Sequence, residues 1–316
     1  MIRQNEIRLM VKIANLYYNE GSKQAEIAAA LNLSQSFVSR MLNRSVREGI
    51  VKISVVQPDN VFPQLERGIE QRYGIQQAIV VDVAEDDDAA QVRKAIGAAA
   101  AHYLETLLRN GELVGISSWS STIRAMVSEM HPQTVKVDGV IQLLGGVGVN
   151  GNVQATILTQ DLANRLSCRA WLLPAQSIEG SVTSRDLLAA SKDVSEVLHK
   201  FNEVTTAVVG IGDMEPSQLL RHSGNYYDKT MLLSLTEKGA VGDICLHYFN
   251  AAGQPVLNED DDPAIGMTLA QLKACPHAIA LAGGQEKVTA IKAALSGGYL
   301  NVLITDYPTA RALMED

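Results

Sequence analysis

The sequence predicts a two-part chain: an all-helical helix-turn-helix head over residues 1–57 and an α/β body with a mostly parallel sheet over residues 58–316. Three observations carry this expectation. The stretch Lys23–Gly49, KQAEIAAALNLSQSFVSRMLNRSVREG, reads as two short amphipathic helices joined by a tight turn. Beyond it, short runs rich in Val, Ile and Leu alternate with helical stretches, the pattern of a parallel sheet covered on both faces. Between the two lies Gln57-Pro58-Asp59-Asn60, a turn-rich break.

In the head, Ile7, Met10, Val11, Ala14, Tyr17 and Tyr18 keep helical spacing, so a first helix runs through Asn19 and completes a small core. Ser22 is the expected N-cap of the next helix, with Glu26 near its start, where a carboxylate suits the positive end of the helix dipole. Its apolar stripe is Ile27, Ala28 and Leu31, and Ala28 is small enough to let another helix cross closely. The pattern breaks at Asn32-Leu33. Ser34 then caps a second helix, Gln35–Arg47, whose apolar face is Val38, Met41, Leu42 and Val46.

The other face of that helix carries Gln35, Ser36, Ser39, Arg40 and Asn43, short or forked polar groups suited to base edges. Tandem amphipathic helices also occur in proteins that bind nothing. Here, however, the polar face holds no acid before Glu48, and Arg40, Arg44 and Arg47 follow in one run. Double-stranded DNA is the expected partner, with Gln35–Arg47 in the major groove. Gln35, Ser36, Ser39 and Arg40 are assigned to base edges, and Arg44, Arg47 and Lys52 to phosphates. Gln24 and Asn43 complete the candidate set. Gly49–Val56 reads as a β-segment, either a wing or a strand leading out of the module.

A net charge of −8 by itself argues against a nucleic-acid binder. The distribution removes the objection: residues 1–57 carry +4 and the remainder −12. A basic head on an acidic body suits a localised DNA contact. Cys168, Cys245 and Cys275 are odd in number and widely spaced, which fits structural thiols in a reducing compartment. The polar start MIRQNEIRLM is not a signal peptide, and no run approaches the roughly 18 apolar residues of a membrane span. A cytoplasmic protein with no membrane partner is expected. The six histidines show no ligand spacing, so neither metal nor cofactor is expected.

In the body, Val61–Tyr73 reads as an amphipathic helix. Strands are expected at 78–83, 113–116, 140–144, 170–173, 206–211, 278–282 and 300–305. Helices are expected at 89–108, 122–130, 153–166, 194–202, 216–222, 285–295 and 309–314. Folds of this kind bind small ligands at the carboxyl ends of the strands. The acidic stretches 85–88 and 259–262 read as solvated loops.

Several strand-end loops carry chemistry. Gly115-Ile-Ser-Ser-Trp-Ser-Ser-Thr122 runs from a strand into a helix, and its hydroxyls at Ser117, Ser118, Ser120, Ser121 and Thr122, with free amides, form a natural anion cradle. A capped, ligand-free turn is the alternative. Gln142 precedes Gly145 and Gly146, glycines that permit a ligand to approach backbone closely. Gly239-Ala-Val-Gly-Asp243 places a carboxylate at what reads as a helix start, Ile244–Asn250, where Asp243 serves either as cap or as acceptor for sugar hydroxyls. In Ala282-Gly-Gly-Gln-Glu-Lys287, Glu286 and Lys287 open a helix. A lysine there opposes the dipole, so it is either solvated or recruited for an anionic ligand.

Taken together, the head with ISVV, then GISSWSST, LLGGVG, VVGIG, GAVGDI, LAGGQEK and GGYLNVLITD resemble the SorC family of bacterial sugar-responsive transcriptional regulators. The motifs span Lys23–Asp306. The resemblance implies a body with a Rossmann-like core similar to the ribose-5-phosphate isomerase and glucosamine-6-phosphate deaminase group. It also implies a dimer or tetramer, and a sugar, polyol or sugar phosphate as effector. The chain departs from the family pattern G-I-S-W-G-x-T, with one more residue between Gly115 and Thr122 and Ser120 in place of Gly. A sugar-phosphate isomerase or deaminase, with Asp243 and Lys287 as acid and base, is the alternative to a regulator.

Overall fold

The computed structural model describes residues 2–53, 60–84, 87–148 and 151–315, and the chain divides into two compact units, Met1–Asp59 and Asn60–Asp316. In the first unit α1 (Ile2–Ala14), prolonged by a π-helical turn at Asn15–Asn19, precedes α2 (Gln24–Leu31) and α3 (Gln35–Arg47). Met10 and Ile13 pack with Ile27, Ala28, Val38, Met41 and Leu42 in one small core. Ile7, Val11, Tyr17 and Tyr18, expected on the inward stripe, are each more than a third exposed. The inward stripe is Met10, Ile13 and Ala14, and the wider π turn then shifts the phase of the residues after it.

Ser22 is not the cap of α2. Lys23 holds that position, and its backbone N–H donates to Glu26 Oε2 at 2.9 Å. Asn32, left-handed at φ 54°, ends α2, and Ser34 Oγ accepts from the Phe37 N–H at 3.2 Å to start α3. The apolar face of α3 closes on Ser45 rather than Val46. Ser45 lies two turns from Val38, is fully buried and donates to Leu42 O at 2.7 Å, whereas Val46 is 41% exposed. The β-segment expected after Gly49 is not seen at 50–53, where Ile53 is 63% exposed. Its remaining residues, 54–56, lie outside the described residues.

The second unit opens with α4 (Pro63–Tyr73), β1 (Gln77–Val81) and α5 (Ala89–Leu107). Then come β2 (Leu113–Ile116), α6 (Ser121–Glu129), β3 (Gly139–Gln142), α7 (Gln154–Arg165) and β4 (Ala170–Trp171). One helix not anticipated, α8 (Val182–Ala189), and α9 (Lys192–Lys200), expected at 194–202, lead to β5 (Thr206–Gly210) and α10 (Gln218–Ser223). A further unanticipated helix, α11 (Lys229–Glu237), precedes β6 (Ala240–Ile244) and β7 (His247–Asn250). The chain finishes with α12 (Leu269–Ala274), β8 (His277–Leu281), α13 (Val288–Gly297), β9 (Val302–Asp306) and α14 (Tyr307–Met314).

Seven strands form one parallel sheet in the order β1-β9-β8-β5-β2-β3-β4. Successive residues serve opposite faces: Val114, Val208, Ile279 and Ile304 join one apolar layer, while Leu113, Val209, Ala280 and Leu303 join the other. Apart from the edge strands β1 and β4, both faces are buried, which is why the inner strands read as continuous apolar runs. The strand order fixes where a ligand fits. From β2 the chain steps outward to β3 and β4, and β5 then returns to the opposite side of β2. At such a reversal the loops leaving two adjacent strands part and open a crevice at their carboxyl ends.

One element contradicts the sequence reading outright. Ile244–Asn250 is not a helix: β6 and β7 pair antiparallel, joined by Cys245 and Leu246 at φ 53° and 64°. Two consecutive left-handed residues make the tight turn whose twist matches that of paired strands. Asp243 is therefore a strand residue and caps no helix.

Candidate functional site

A cleft of ≈ 340 Å³ sits at the reversal between β2 and β5. The loop after β2 supplies Ser117, Ser120, Ser121 and Thr122 to it, and the loop after β8 supplies Glu286 and Lys287. Hairpin β6–β7 contributes Asp243. The loop after β5 is joined to that hairpin by two backbone bonds, Gly212 N–H to Asp243 O at 3.0 Å and Asp243 N–H to Gly212 O at 3.1 Å. A Cβ at Gly212 would stand 2.0 Å from Asp243 Oδ1, so a side chain there would displace the carboxylate from its place.

The groups are prepared for polar ligands. Asp243 Oδ2 accepts from the Leu246 N–H at 2.9 Å across the hairpin turn. Burial pushes its carboxyl up to about 6, against the opposing pull of the Leu246 N–H and the Lys287 charge. Lys287 closes the 3-10 turn Gln285–Lys287, which runs directly into α13, so it stands at the start of that helix as its N-cap residue. Its Nζ donates to Ile211 O at 3.0 Å, which leaves donors to spare. Ser120 Oγ caps α6 by accepting from the Ile123 N–H at 3.3 Å, and Ser117 Oγ accepts from the Gly210 N–H at 3.0 Å.

Five of the expected residues do not line the cleft. Ser118 is fully buried, paired with Thr159 Oγ1 at 2.6 Å. Gln142 is fully buried as well, and its Nε2 donates to Leu144 O at 2.9 Å. Gly115, Gly145 and Gly146 are glycines for packing: a Cβ on each would meet Leu143, the Gln176 carbonyl and the Gln142 side chain respectively, all within 2.5 Å. In their place the structure brings in Arg93 from α5, Asp213 from the loop after β5 and Tyr248 from β7. Arg221 also lines the cleft, but donates to Pro216 O at 2.8 Å and pairs with Glu215 at 3.5 Å. Asp213 directly follows the glycine-led VVGIG motif and was legible there, whereas Arg93, Tyr248 and Arg221 sit in no such motif and are found through the strand order.

On α3, Ser36, Arg40, Asn43 and Arg47 are spaced four, three and four apart and are exposed, which places them on one face opposite Val38, Met41 and Ser45. Gln35 is exposed at the start of α3, and Ser39 is half-buried beside that face. Gln24 is half-buried in the first turn of α2, and Lys52 is exposed beyond α3. Arg44 is engaged elsewhere. Its Nη1 binds Glu6 at 2.7 Å and its Nε binds Glu48 at 2.6 Å, so it ties α1 to the end of α3.

Comparison with known proteins fits both parts. The family model described as "Putative sugar-binding domain" matches residues 61–315. The Deoxyribonucleoside regulator of Bacillus subtilis is 30% identical over 310 residues, covering 98% of each chain. The crystal structure of the full-length Sorbitol Operon Regulator SorC from Klebsiella pneumoniae is 26% identical, with a TM-score of 0.72 over 98% of this chain and 100% of that one. A structure described as "Putative sugar-binding domain of transcriptional regulator DeoR" from Pseudomonas syringae pv. tomato is 48% identical, with a TM-score of 0.63 over 79% of this chain and 97% of that one.

Proposed function

The chain belongs to the SorC family of sugar-responsive transcriptional regulators, and from that premise we propose that its head, residues 1–57, binds operator DNA while its body, 58–316, binds the controlling effector. The observation that carries the reading is the cleft at the β2–β5 reversal. Hydroxyls from Ser117, Ser120, Ser121 and Thr122, the acceptor Asp243 on β6 and the cations Lys287 and Arg93 converge there from different parts of the fold. Acceptors and hydroxyls suit a polyol, and the cations beside the start of α6 suit a phosphate. A sugar, polyol or sugar phosphate is the effector class. Glu286, which is exposed at the rim, is a further acceptor for hydroxyls. Effector binding shifts the population of oligomeric arrangements of the chain and so the spacing of its DNA-binding heads. The test is operator binding by fluorescence anisotropy across a panel of sugars, polyols and their phosphates. No change with any of them would sink the reading.

On the DNA side, Ser36, Arg40, Asn43 and Arg47 face the groove, with Gln35, Ser39, Gln24 and Lys52 flanking them. Arg44 is reassigned from phosphate contact to positioning residue, because both ends of its guanidinium are engaged within the head. Arg40→Ala is expected to cost roughly 1–3 kcal/mol on the cognate operator, the range for a lost bidentate base contact. Equal losses on cognate and random DNA would make Arg40 a phosphate contact, and no loss on either would remove it from the interface.

The relatives are named regulators rather than enzymes, so the isomerase or deaminase alternative gains nothing from them. No described helix is long and apolar enough to cross a membrane, consistent with a regulator working on DNA in the cytoplasm. The body is expected to fold and bind effector as residues 58–316 alone, as an oligomer without operator affinity. The Pseudomonas syringae structure corresponds to a body on its own, which supports this. Retardation of operator DNA by the truncated chain would refute it.

A further inference from the structure

The turn that carries Lys287 is fastened to the last helix of the chain, and that helix to the first helix of the body. Asp306, the last residue of β9, is buried and makes the first junction. Its Oδ1 accepts from the Thr309 N–H at 2.8 Å and so caps α14. Its Oδ2 accepts from the Gly284 N–H and from the Thr309 hydroxyl, both at 2.8 Å. Gly284, at φ 102°, opens the turn Gln285–Lys287. The approach is close enough that a Cβ on Gly283 would stand 2.0 Å from Asp306 Oδ2. One carboxylate thus holds the Lys287 turn and the start of α14 together.

α14 is in turn pinned to α4 at both ends. Tyr307, its first residue, stacks on Phe62, the N-cap of α4, with ring centroids 4.4 Å apart. At the other end Arg72 Nη1 donates to Met314 O at 2.6 Å and Tyr73 Oη to Leu313 O at 2.8 Å. These carbonyls are among those a helix leaves unpaired at its C-terminus. Gly68 makes room for the Met314 side chain, whose Cε lies 3.0 Å from where a Cβ would stand. α4 is the first helix after the head unit, which ends at Asp59.

We propose that Asp306 and α14 couple the cleft to the head. A displacement of the Lys287 turn passes through Asp306 to α14 and through α14 to α4, from which the chain leads directly back to the head. Asp306 does not line the cleft and acts as a positioning residue. With the head binding operator and the Lys287 turn holding effector, as proposed above, coupling between the two sites is reciprocal. Operator on the head must therefore alter the Lys287 turn by the same route. A chain of bonds is a route only if cutting one of them stops the signal.

The test is amide hydrogen exchange of the full-length chain, with and without a duplex selected by that chain from random-sequence DNA. In the parent the duplex should protect α3 and change exchange at residues 284–288 by at least about fivefold, the lower end of typical couplings. Asp306→Asn keeps an oxygen to cap α14 but turns an N–H donor toward Gly284, which cuts the turn from the helix. In that variant α3 should be protected as in the parent while the turn no longer responds. Tyr307→Ala leaves Asp306 in place, removes the stack on Phe62 and should at least halve the response. Thr268→Ala removes the cap of α12, a helix outside the link, and should leave the response intact. A protected α3 with a silent turn in the parent overturns the proposal. So does a turn that responds in full in Asp306→Asn or Tyr307→Ala, or falls silent in Thr268→Ala. If no duplex protects α3, the reading of the head fails and the coupling fails with it.

Discussion

Replacing Lys287 by Met is expected to abolish the effector's control of operator binding while leaving the affinity for operator in the absence of effector within about twofold of the parent. The ammonium is half-buried at the cleft, held in place by one bond to Ile211 O at 3.0 Å, with its other donors free for a ligand. A hydrogen bond to a charged group contributes about 1.5–3 kcal/mol, so its removal weakens the effector by roughly ten- to a hundredfold. Met keeps most of the stem and its packing. The loss is therefore electrostatic. A second consequence follows from the same charge, which opposes the burial of the Asp243 carboxylate. Without it Asp243 holds its proton to still higher pH and becomes a poorer acceptor for hydroxyls. Anisotropy titrations of operator with and without effector measure both quantities. A variant that responds as the parent does would move the effector site out of this cleft.

How much of this was legible beforehand follows from the physics of each element. All seven strands of the parallel sheet were expected from apolar runs; the inner ones show them most fully, because a strand covered on both faces favours apolar residues along its length, while the edge strands β1 and β4 are only part-buried. α3 is legible to its exact ends, since Ser34 caps it and its stripe repeats at helical spacing. Hairpin β6–β7 is not. Its turn uses Cys245 and Leu246 in left-handed geometry, where the usual sequence mark is Asn-Gly, so nothing in the run signals a reversal.

The site divides in the same way. Ser117, Ser120, Ser121, Thr122, Asp243, Glu286 and Lys287 sit in strand-end motifs, and the cleft gathers them. Ser118 and Gln142 belong to the same motifs, but the alternation of the backbone turns them inward, where they satisfy Thr159 and the Leu144 carbonyl instead. Polar residue type alone cannot separate these two fates. Arg93 and Tyr248 escaped notice for the opposite reason: each comes from an element whose place beside the cleft depends on the strand order, a property of distant pairings rather than of local sequence, whereas Asp213 directly follows the VVGIG motif and carried a local signal.

Asp243→Asn is expected to stabilise the body while destroying its response to effector. The carboxyl titrates at about 6 in the folded chain against 3.8 when solvated, so the folded state binds this proton more tightly than the unfolded state does. Below pH 3.8 both states are protonated and the group costs nothing. As pH rises from there to about 6 the unfolded state ionises first, and stability falls across that window. Above it the full cost of holding a buried carboxylate, about 3 kcal/mol, is present. Asn keeps an oxygen to accept from the Leu246 N–H, which Ala does not, and carries no charge. At pH 8 the variant should therefore exceed the parent by up to about 3 kcal/mol, a figure already net of the attraction to Lys287, and the two should converge near pH 4. Trp119 and Trp171 are the only tryptophans and both lie in the body, so urea unfolding followed by their fluorescence reports this unit directly. In effector titrations the variant should fail, since an amide is a weaker acceptor for sugar hydroxyls than a carboxylate. A stability difference that does not vary between pH 4 and pH 8 would mean that Asp243 is not the buried, costly acceptor described here. Greater stability with an intact effector response would mean that the cost serves something other than this ligand.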